Sequence, residues 1–311
     1  GRGAVCRADD GDGSGVLQTL EEGVVKDGDT YVCKGFETVA DYKLKCHVFS
    51  TIGSHGSLTV EQALMNSCNP YMIHLALEMG NSRFAYYQSL FGFGKITGID
   101  LPGETTGIVY GDRMTTIDAA CNSFGQTINV NMMQMMAAYC SIINGGMLYQ
   151  PHIVKRIESA NGEVVKEYKA NLVRQTITAS TSKLLRRYLK NTVEEGTAKK
   201  AGVTGYSVAG KTGTAQKGDR KDNKWIISFI GHAPAENPKF AIYVVIDEPY
   251  GTTGTSGSSA DVLTLTHNIL EKLLPYMNVY KDASDEYEDT SSSPDELTPR
   301  SSALREEWKE F

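Results

Sequence analysis

Gly205-Tyr206-Ser207-Val208-Ala209-Gly210-Lys211-Thr212-Gly213-Thr214 is the stretch on which the fold turns, because Lys211 satisfies two incompatible motifs. Gly205 to Thr212 spells G-x-x-x-x-G-K-T, a phosphate loop, and Ile242 to Asp247-Glu248 looks like the apolar strand with an acidic end that would hold magnesium. Such a loop works only when a buried strand enters it and a helix leaves it, aiming amides and the helix dipole at the phosphates. Neither flank complies: Ala198-Lys199-Lys200-Ala201-Gly202-Val203-Thr204 is no buried strand, and Gly213, Gly218, Asp219 and Asp222 discourage a helix downstream. A phosphate-loop nucleotide hydrolase is therefore the lesser alternative. Lys211-Thr212-Gly213 reads better as an edge strand following Ser207-Val208-Ala209, with Gly213 letting a substrate backbone approach closely.

Downstream, Trp225 to His232 and Phe240 to Asp247 are rich in β-branched and aromatic residues and are joined by Pro234-Ala235-Glu236-Asn237-Pro238, which predicts an antiparallel hairpin. Ala260 to Leu274 has apolar residues at helical spacing and is expected to pack on that sheet. Upstream, Thr59-Val60-Glu61-Gln62 is a capping box opening a helix through Asn66. Asn69-Pro70 reads as N-cap and first helical position of a second helix, Tyr71 to Met79, with Gly80 as a left-handed stop. Residues 91–107 are turn-rich and read as a loop, Ile128 to Ile143 as a buried helix and Ser180 to Val193 as an amphipathic one. The pattern is α/β of the α+β type: an antiparallel sheet flanked by helices.

Composition narrows the function. With 311 residues, 41% hydrophobic and 22% charged, the chain can bury a large core, and no apolar stretch reaches the roughly 18 residues of a membrane span. The formal charge is 31 − 37 = −6, but residues 281–311 hold four Lys/Arg against ten Asp/Glu, leaving 27 of each sign in residues 1–280. A neutral body lacks the basic face that nucleic acid requires. Residues 1–16 are Gly- and Asp-rich and read as a loose leader, 17–280 as the folded domain, and 281–311 as a solvated acidic tail in which Leu304 to Phe311 has short-helix character.

Ser67-Cys68-Asn69 lies between two helices and upstream of Lys211-Thr212-Gly213, an ordered pair of elements found together in serine acyl-transfer enzymes. Around it, the chain from about Leu20 to Tyr276 resembles the transpeptidase domain of class B penicillin-binding proteins, within the β-lactamase-like superfamily. The likeness runs through His55-Gly56-Ser57-Leu58-Thr59, the string FGFGKITGIDLPGE, Asn144-Gly145-Gly146 with Pro151-His152, Glu195-Gly196-Thr197-Ala198, and Val208 to Gln216. The resemblance implies cross-linking of peptidoglycan D-Ala-D-Ala stem peptides through an acyl-serine that β-lactam antibiotics trap. Ser67 would relay protons, Asn69 would hold the substrate amide, and Lys211 would keep the site electropositive. Thr212 and Thr214 would grip the substrate carboxylate, and the Thr214 amide would serve as an oxyanion donor. It also implies other cell-wall synthesis proteins as partners, the outer face of the bacterial cell membrane as location, an N-terminal anchor not present in this sequence, and no cofactor.

The family's nucleophile motif, S-x-x-K, opens a helix about a dozen residues before the position matching Leu20-Glu21-Glu22-Gly23. Here that region reads Asp9-Asp10-Gly11-Asp12, and Ser14 has Leu17 where the lysine belongs. The only S-x-x-K is Ser180-Thr181-Ser182-Lys183, at a helix start on the wrong side of Ser67, where Ser180 reads as a cap. No nucleophile is identified, and the chain as written is expected to be inactive through a truncated or altered N-terminus. A non-catalytic scaffold of the same fold is the alternative. Cys33 and Cys46 flank a hairpin and read equally as a disulfide or as two buried thiols. His55, His152 and His232 lack metal-ligand spacing, so structural roles and no metal are expected.

Overall fold

The computed structural model describes residues 16, 19–217, 224–249 and 258–282. The leader through Gly15, with Ser14, and the tail beyond Asp282 lie outside them. Strand β1 (Thr30–Cys33) is followed by a hairpin of β2 (Phe36–Val39) and β3 (Tyr42–Lys45), and β4 (Gly56–Thr59) returns antiparallel to β1 with Cys33 opposite Gly56. Thr59 then opens helix α1 (Val60–Met65) through the capping box read from the sequence: its hydroxyl accepts the Gln62 amide, and the Gln62 side chain accepts the Thr59 amide.

Helices α2 (Asn69–Met79) and α3 (Asn81–Leu90) follow, and here two expectations shift. Cys68, not Asn69, is the N-cap of α2, because proline is tolerated through the unbonded first turn and does not fix the register of the cap. Gly80 has the positive φ expected of a glycine stop, 80°, but its ψ of 153° is not the left-handed helical value, and it both ends α2 and starts α3. Helix α4 (Thr116–Ser123) is capped by Thr115 and α5 (Met132–Ile143) by Asn131. The helix expected from Ile128 thus starts four residues later, since the Asn129 backbone is occupied by an antiparallel bridge to Ile108. That bridge satisfies the amide and carbonyl that a helix would otherwise claim.

Two peripheral strand pairs come next: β5 (Met147–Tyr149) with β8 (Leu172–Gln175), and β6 (Arg156–Glu158) with β7 (Val164–Glu167). Helix α6 (Ala179–Glu194) is capped by Thr178, not Ser180. Several hydroxyl residues compete there, and the choice is made from a distance: the Glu21 carboxylate accepts both the amide and the hydroxyl of Thr178.

The central sheet has the order β11-β10-β9, from β9 (Ala209–Lys217), β10 (Lys224–Ala233) and β11 (Phe240–Asp247), all antiparallel. The predicted hairpin is present, and β9 is an edge strand among the described residues; Ser207 and Val208 lie just before it. Helix α7 (Ala260–Tyr276) covers one face, packing Val262, Leu263, Leu270 and Leu274 against Ile227, Phe229 and Val244. The other face, at Ala209 and Ile230, joins the large helical core with Tyr139, Leu185 and Tyr188. Gly210 is required by this packing, since a Cβ there would stand 2.3 Å from Phe229 Cζ and 2.5 Å from the Ile230 carbonyl oxygen.

Candidate active site

Ser67 occupies the turn between α1 and α2 with φ 49°, a conformation uncommon for residues other than glycine. The end of α1 holds it there: the Ser67 amide donates to the Leu64 carbonyl at 3.2 Å and the Cys68 amide to the Ala63 carbonyl at 2.9 Å. The strained turn brings the serine hydroxyl to β9, where Lys211 Nζ donates to Ser67 Oγ at 2.5 Å and to the Thr212 carbonyl at 2.9 Å. Lys211 is only 3% exposed, and a buried ammonium needs such acceptors to offset its lost hydration.

Ser67, Asn69, Thr212 and Thr214 line one cleft of about 890 Å³, so the two motifs converge as their order in the chain suggested. Gly213 lies in β9 between the two threonines, opposite Ser228. Lys43, Leu44 and Lys45 of the β2–β3 hairpin line the same cleft, as do Phe124, Gln126 and Thr127 beyond α4. With Lys211 behind Ser67, the cleft carries three lysines and suits an anionic group such as a carboxylate.

Sequence reasoning missed Thr197 and Trp225 as lining residues. Thr197 had a signal, because Glu195-Gly196-Thr197-Ala198 carries part of the resemblance. Its amide donates to the Met65 carbonyl at 3.1 Å and its hydroxyl lies 3.4 Å from that of Thr212, so it ties the end of α1 to β9. Gly196 makes room for this, since a Cβ would come 2.8 Å from the Met65 carbonyl oxygen. Trp225 gave none, since a strand tryptophan reads as core.

The stretch from Gly205 forms a turn that runs into β9, and Thr212 continues the strand; no helix starts there, so the amide cradle of a phosphate loop is not built. Ser180 is exposed, shares its hydroxyl with that of Thr178 at 2.9 Å and is not a lining residue of the cleft. His232 is buried between the Tyr139 hydroxyl, 2.8 Å from Nδ1, and the Ala235 carbonyl, 3.1 Å from Nε2. Burial lowers its pKa to about 4, so it is a neutral structural residue as expected.

An antiparallel sheet with helices on both faces, and a serine–lysine contact at the floor of a cleft beside its edge strand, define a serine–lysine site on an α+β fold rather than a nucleotide-binding one. Residues 15–271 match the family model of the penicillin-binding protein transpeptidase domain, and the chain belongs to that family. It is 39% identical over 256 residues to Stage V sporulation protein D of Bacillus subtilis, covering 81% of this chain and 39% of that protein. It is 31% identical over 274 residues to the peptidoglycan D,D-transpeptidase FtsI of Escherichia coli, covering 86% of this chain and 43% of that one. The chain thus spans about two fifths of the length of these relatives. Among solved structures it superposes on penicillin-binding protein 3 of Mycobacterium tuberculosis in its ampicillin complex with a TM-score of 0.81, at 26% identity, covering 92% of this chain and 65% of that one.

Proposed function

We propose that this domain is the acyl-donor-binding and proton-relay part of a D,D-transpeptidase site. It would receive the D-Ala-D-Ala end of a peptidoglycan stem peptide, or a β-lactam in its place, on the outer face of the bacterial cell membrane. The observation that carries the reading is the 2.5 Å contact between Lys211 Nζ and Ser67 Oγ at the cleft floor. A serine hydroxyl held by a cationic donor can pass a proton to a leaving amine and recover it from an incoming one. Lys211 fixes the direction of that relay by occupying an Oγ lone pair, and it places positive charge where the substrate carboxylate would lie. Thr212 and Thr214 supply hydroxyls for that carboxylate, and Asn69, in the first turn of α2, supplies an amide for the peptide bond before it. The ampicillin and aztreonam complexes of the M. tuberculosis protein support β-lactams as ligands of the cleft. Among the described residues no helix is long and apolar enough to cross a membrane.

The acyl-forming nucleophile is the part this sequence does not supply. No S-x-x-K precedes Ser67, and residues 1–15 lie outside the described residues. Acylation needs nucleophile, lysine and two oxyanion donors acting as a unit, so the remaining groups are not expected to rescue it. The test is a denaturing gel after incubation with fluorescent penicillin, followed by mass mapping. The chain as given should show no covalent adduct, whereas a version carrying an S-x-x-K helix ahead of Leu20 should label stoichiometrically on that serine. An adduct on Ser67 or Ser180 would overturn the assignment of roles, and failure of the extended chain to label would favour a non-catalytic scaffold.

A further inference from the structure

Four side chains that the proposed chemistry does not use meet behind the Ser67 turn: Cys33, Cys46, His55 and Cys68. Their ligand atoms, three Sγ and one imidazole nitrogen, all lie within 4.8 Å of one another. We propose that they form a structural zinc site of the Cys3His type, which fastens the Ser67–Asn69 turn to the hairpin on the cleft wall.

The spacings fit a tetrahedral ion. Bonds of about 2.3 Å to sulfur and about 2.0–2.1 Å to nitrogen give ligand-to-ligand edges of about 3.5–3.8 Å. His55 Nδ1 lies 3.5 Å from Cys46 Sγ and 3.9 Å from Cys33 Sγ. A disulfide would instead bring two sulfurs to about 2.05 Å, and all three thiols are free.

The surroundings suit thiolates. The Gly35 amide donates to Cys33 Sγ at 3.4 Å, the amide of Val48 faces Cys46, and that of Tyr71, in the first turn of α2, faces Cys68. Each sulfur thus has a backbone amide to stabilise negative charge, an arrangement that three ordinary buried thiols do not need. A divalent cation would take all three sulfurs as thiolates and release their protons to solvent. Three sulfurs and one imidazole select a soft, tetrahedral ion, hence zinc over magnesium or calcium. The complex would carry a net −1 charge, offset by Lys34 and Lys45, which flank two of the ligands in sequence.

The topology shows what the ion would hold. Cys33 ends β1, His55 precedes β4, Cys46 follows β3, and Cys68 caps α2. The exit of the hairpin that presents Lys43 and Lys45 meets the turn that presents Ser67 through the His47 ring, whose Nε2 lies 2.9 Å from the Asn66 carbonyl oxygen, and one ion would cross-link both segments. Cys68 is the middle residue of Ser67-Cys68-Asn69, so a bond to its sulfur restrains the residues on either side.

This inference is independent of the acyl-transfer reading, because its readout is metal and not penicillin. The chain, expressed with zinc supplied and then desalted, should retain about one zinc per molecule by plasma mass spectrometry. Cys33→Ser, Cys46→Ser and His55→Ala should each lose it, and Cys140→Ser, in α5, should keep it. Because a ligand variant can fail to fold, the unmodified chain carries a second measurement. Cobalt added after chelation should give thiolate charge-transfer bands and intense tetrahedral d–d bands that zinc abolishes. Hydrogen exchange at Ser67–Asn69 and at the β2–β3 hairpin should rise on chelation while that at β10 stays unchanged. Substoichiometric zinc, absence of the thiolate–cobalt bands, acid-labile sulfide, or a Cys33–Cys46 disulfide in zinc-supplied protein would each overturn the proposal.

Discussion

Lys211 Nζ and Ser67 Oγ are 2.5 Å apart although 144 positions separate them in the chain. The contact exists because α1 ends in a turn that β9 passes, and Thr197 bridges the two by bonding Met65 on one side and lying against Thr212 on the other. The serine and the lysine are therefore held by backbone, not by each other, and a substitution in one should leave the other in place.

Lys211→Met is expected to retain the fold and to weaken non-covalent binding of a D-Ala-D-Ala peptide or ampicillin by tenfold or more. A hydrogen bond involving a charged group is worth about 1.5–3 kcal/mol. Calorimetric or NMR titration reads the affinity and thermal melting the fold. Equal affinity for both proteins would remove Lys211 from the binding site.

Gly210→Ala should cost about 1–3 kcal/mol, read as a lower urea midpoint with unchanged slope, because the added methyl has to displace a phenylalanine ring and a strand carbonyl. Combining it with Phe229→Leu should recover part of the loss, since neighbouring changes couple. Strict additivity would place the strain elsewhere.

Stability should fall as pH drops from about 6.5 toward 4. His232 is neutral in the folded state with its pKa lowered to about 4 by burial, whereas the unfolded chain takes up that proton near pH 6.5. Between those limits the unfolded state binds more protons, so the stabilising contribution is fully present above pH 6.5. It declines through the window by up to about 3 kcal/mol and levels off below pH 4. Urea unfolding at a series of pH values measures the slope, and His232→Gln should flatten it. An unchanged slope in that variant would assign the acid sensitivity to other groups.

Asn131→Ala should destabilise the domain by about 2 kcal/mol and loosen the loop at 91–107. Asn131 Oδ1 caps α5 by accepting the Gln134 amide at 2.8 Å, and Nδ2 of the same side chain donates to the Thr105 carbonyl at 2.6 Å. Gln134 Nε2 in turn donates to the carbonyls of Lys95 and Thr106. Hydrogen exchange should rise at Thr97 and Gly98, whose amides bond Glu104 in the same loop. Protection that persists there would show that the Glu104 carboxylate holds the loop unaided.

The amino-acid sequence determined by itself whatever local chemistry dictates. The capping box at Thr59 and Gln62 closes within four residues, and the β10–β11 hairpin follows from β-branched alternation around a proline-bounded turn. Lys211 was placed on a strand because its flanks refuse a helix. Competition among equivalent local partners was not legible. Thr178 caps α6 in preference to Ser180 because Glu21 reaches it from 157 positions away, and the helix expected from Ile128 is cut short by pairing with Ile108. The Cys33, Cys46, His55 and Cys68 cluster was least legible of all. Its ligands lie 13, 9 and 13 positions apart in sequence and come from a strand end, a hairpin exit, a strand approach and a helix cap. Ligand motifs are visible in sequence only when one turn of backbone supplies two of them. Here the β1–β4 register and the α1–α2 turn bring the four side chains together, and only the folded chain fixes those distances.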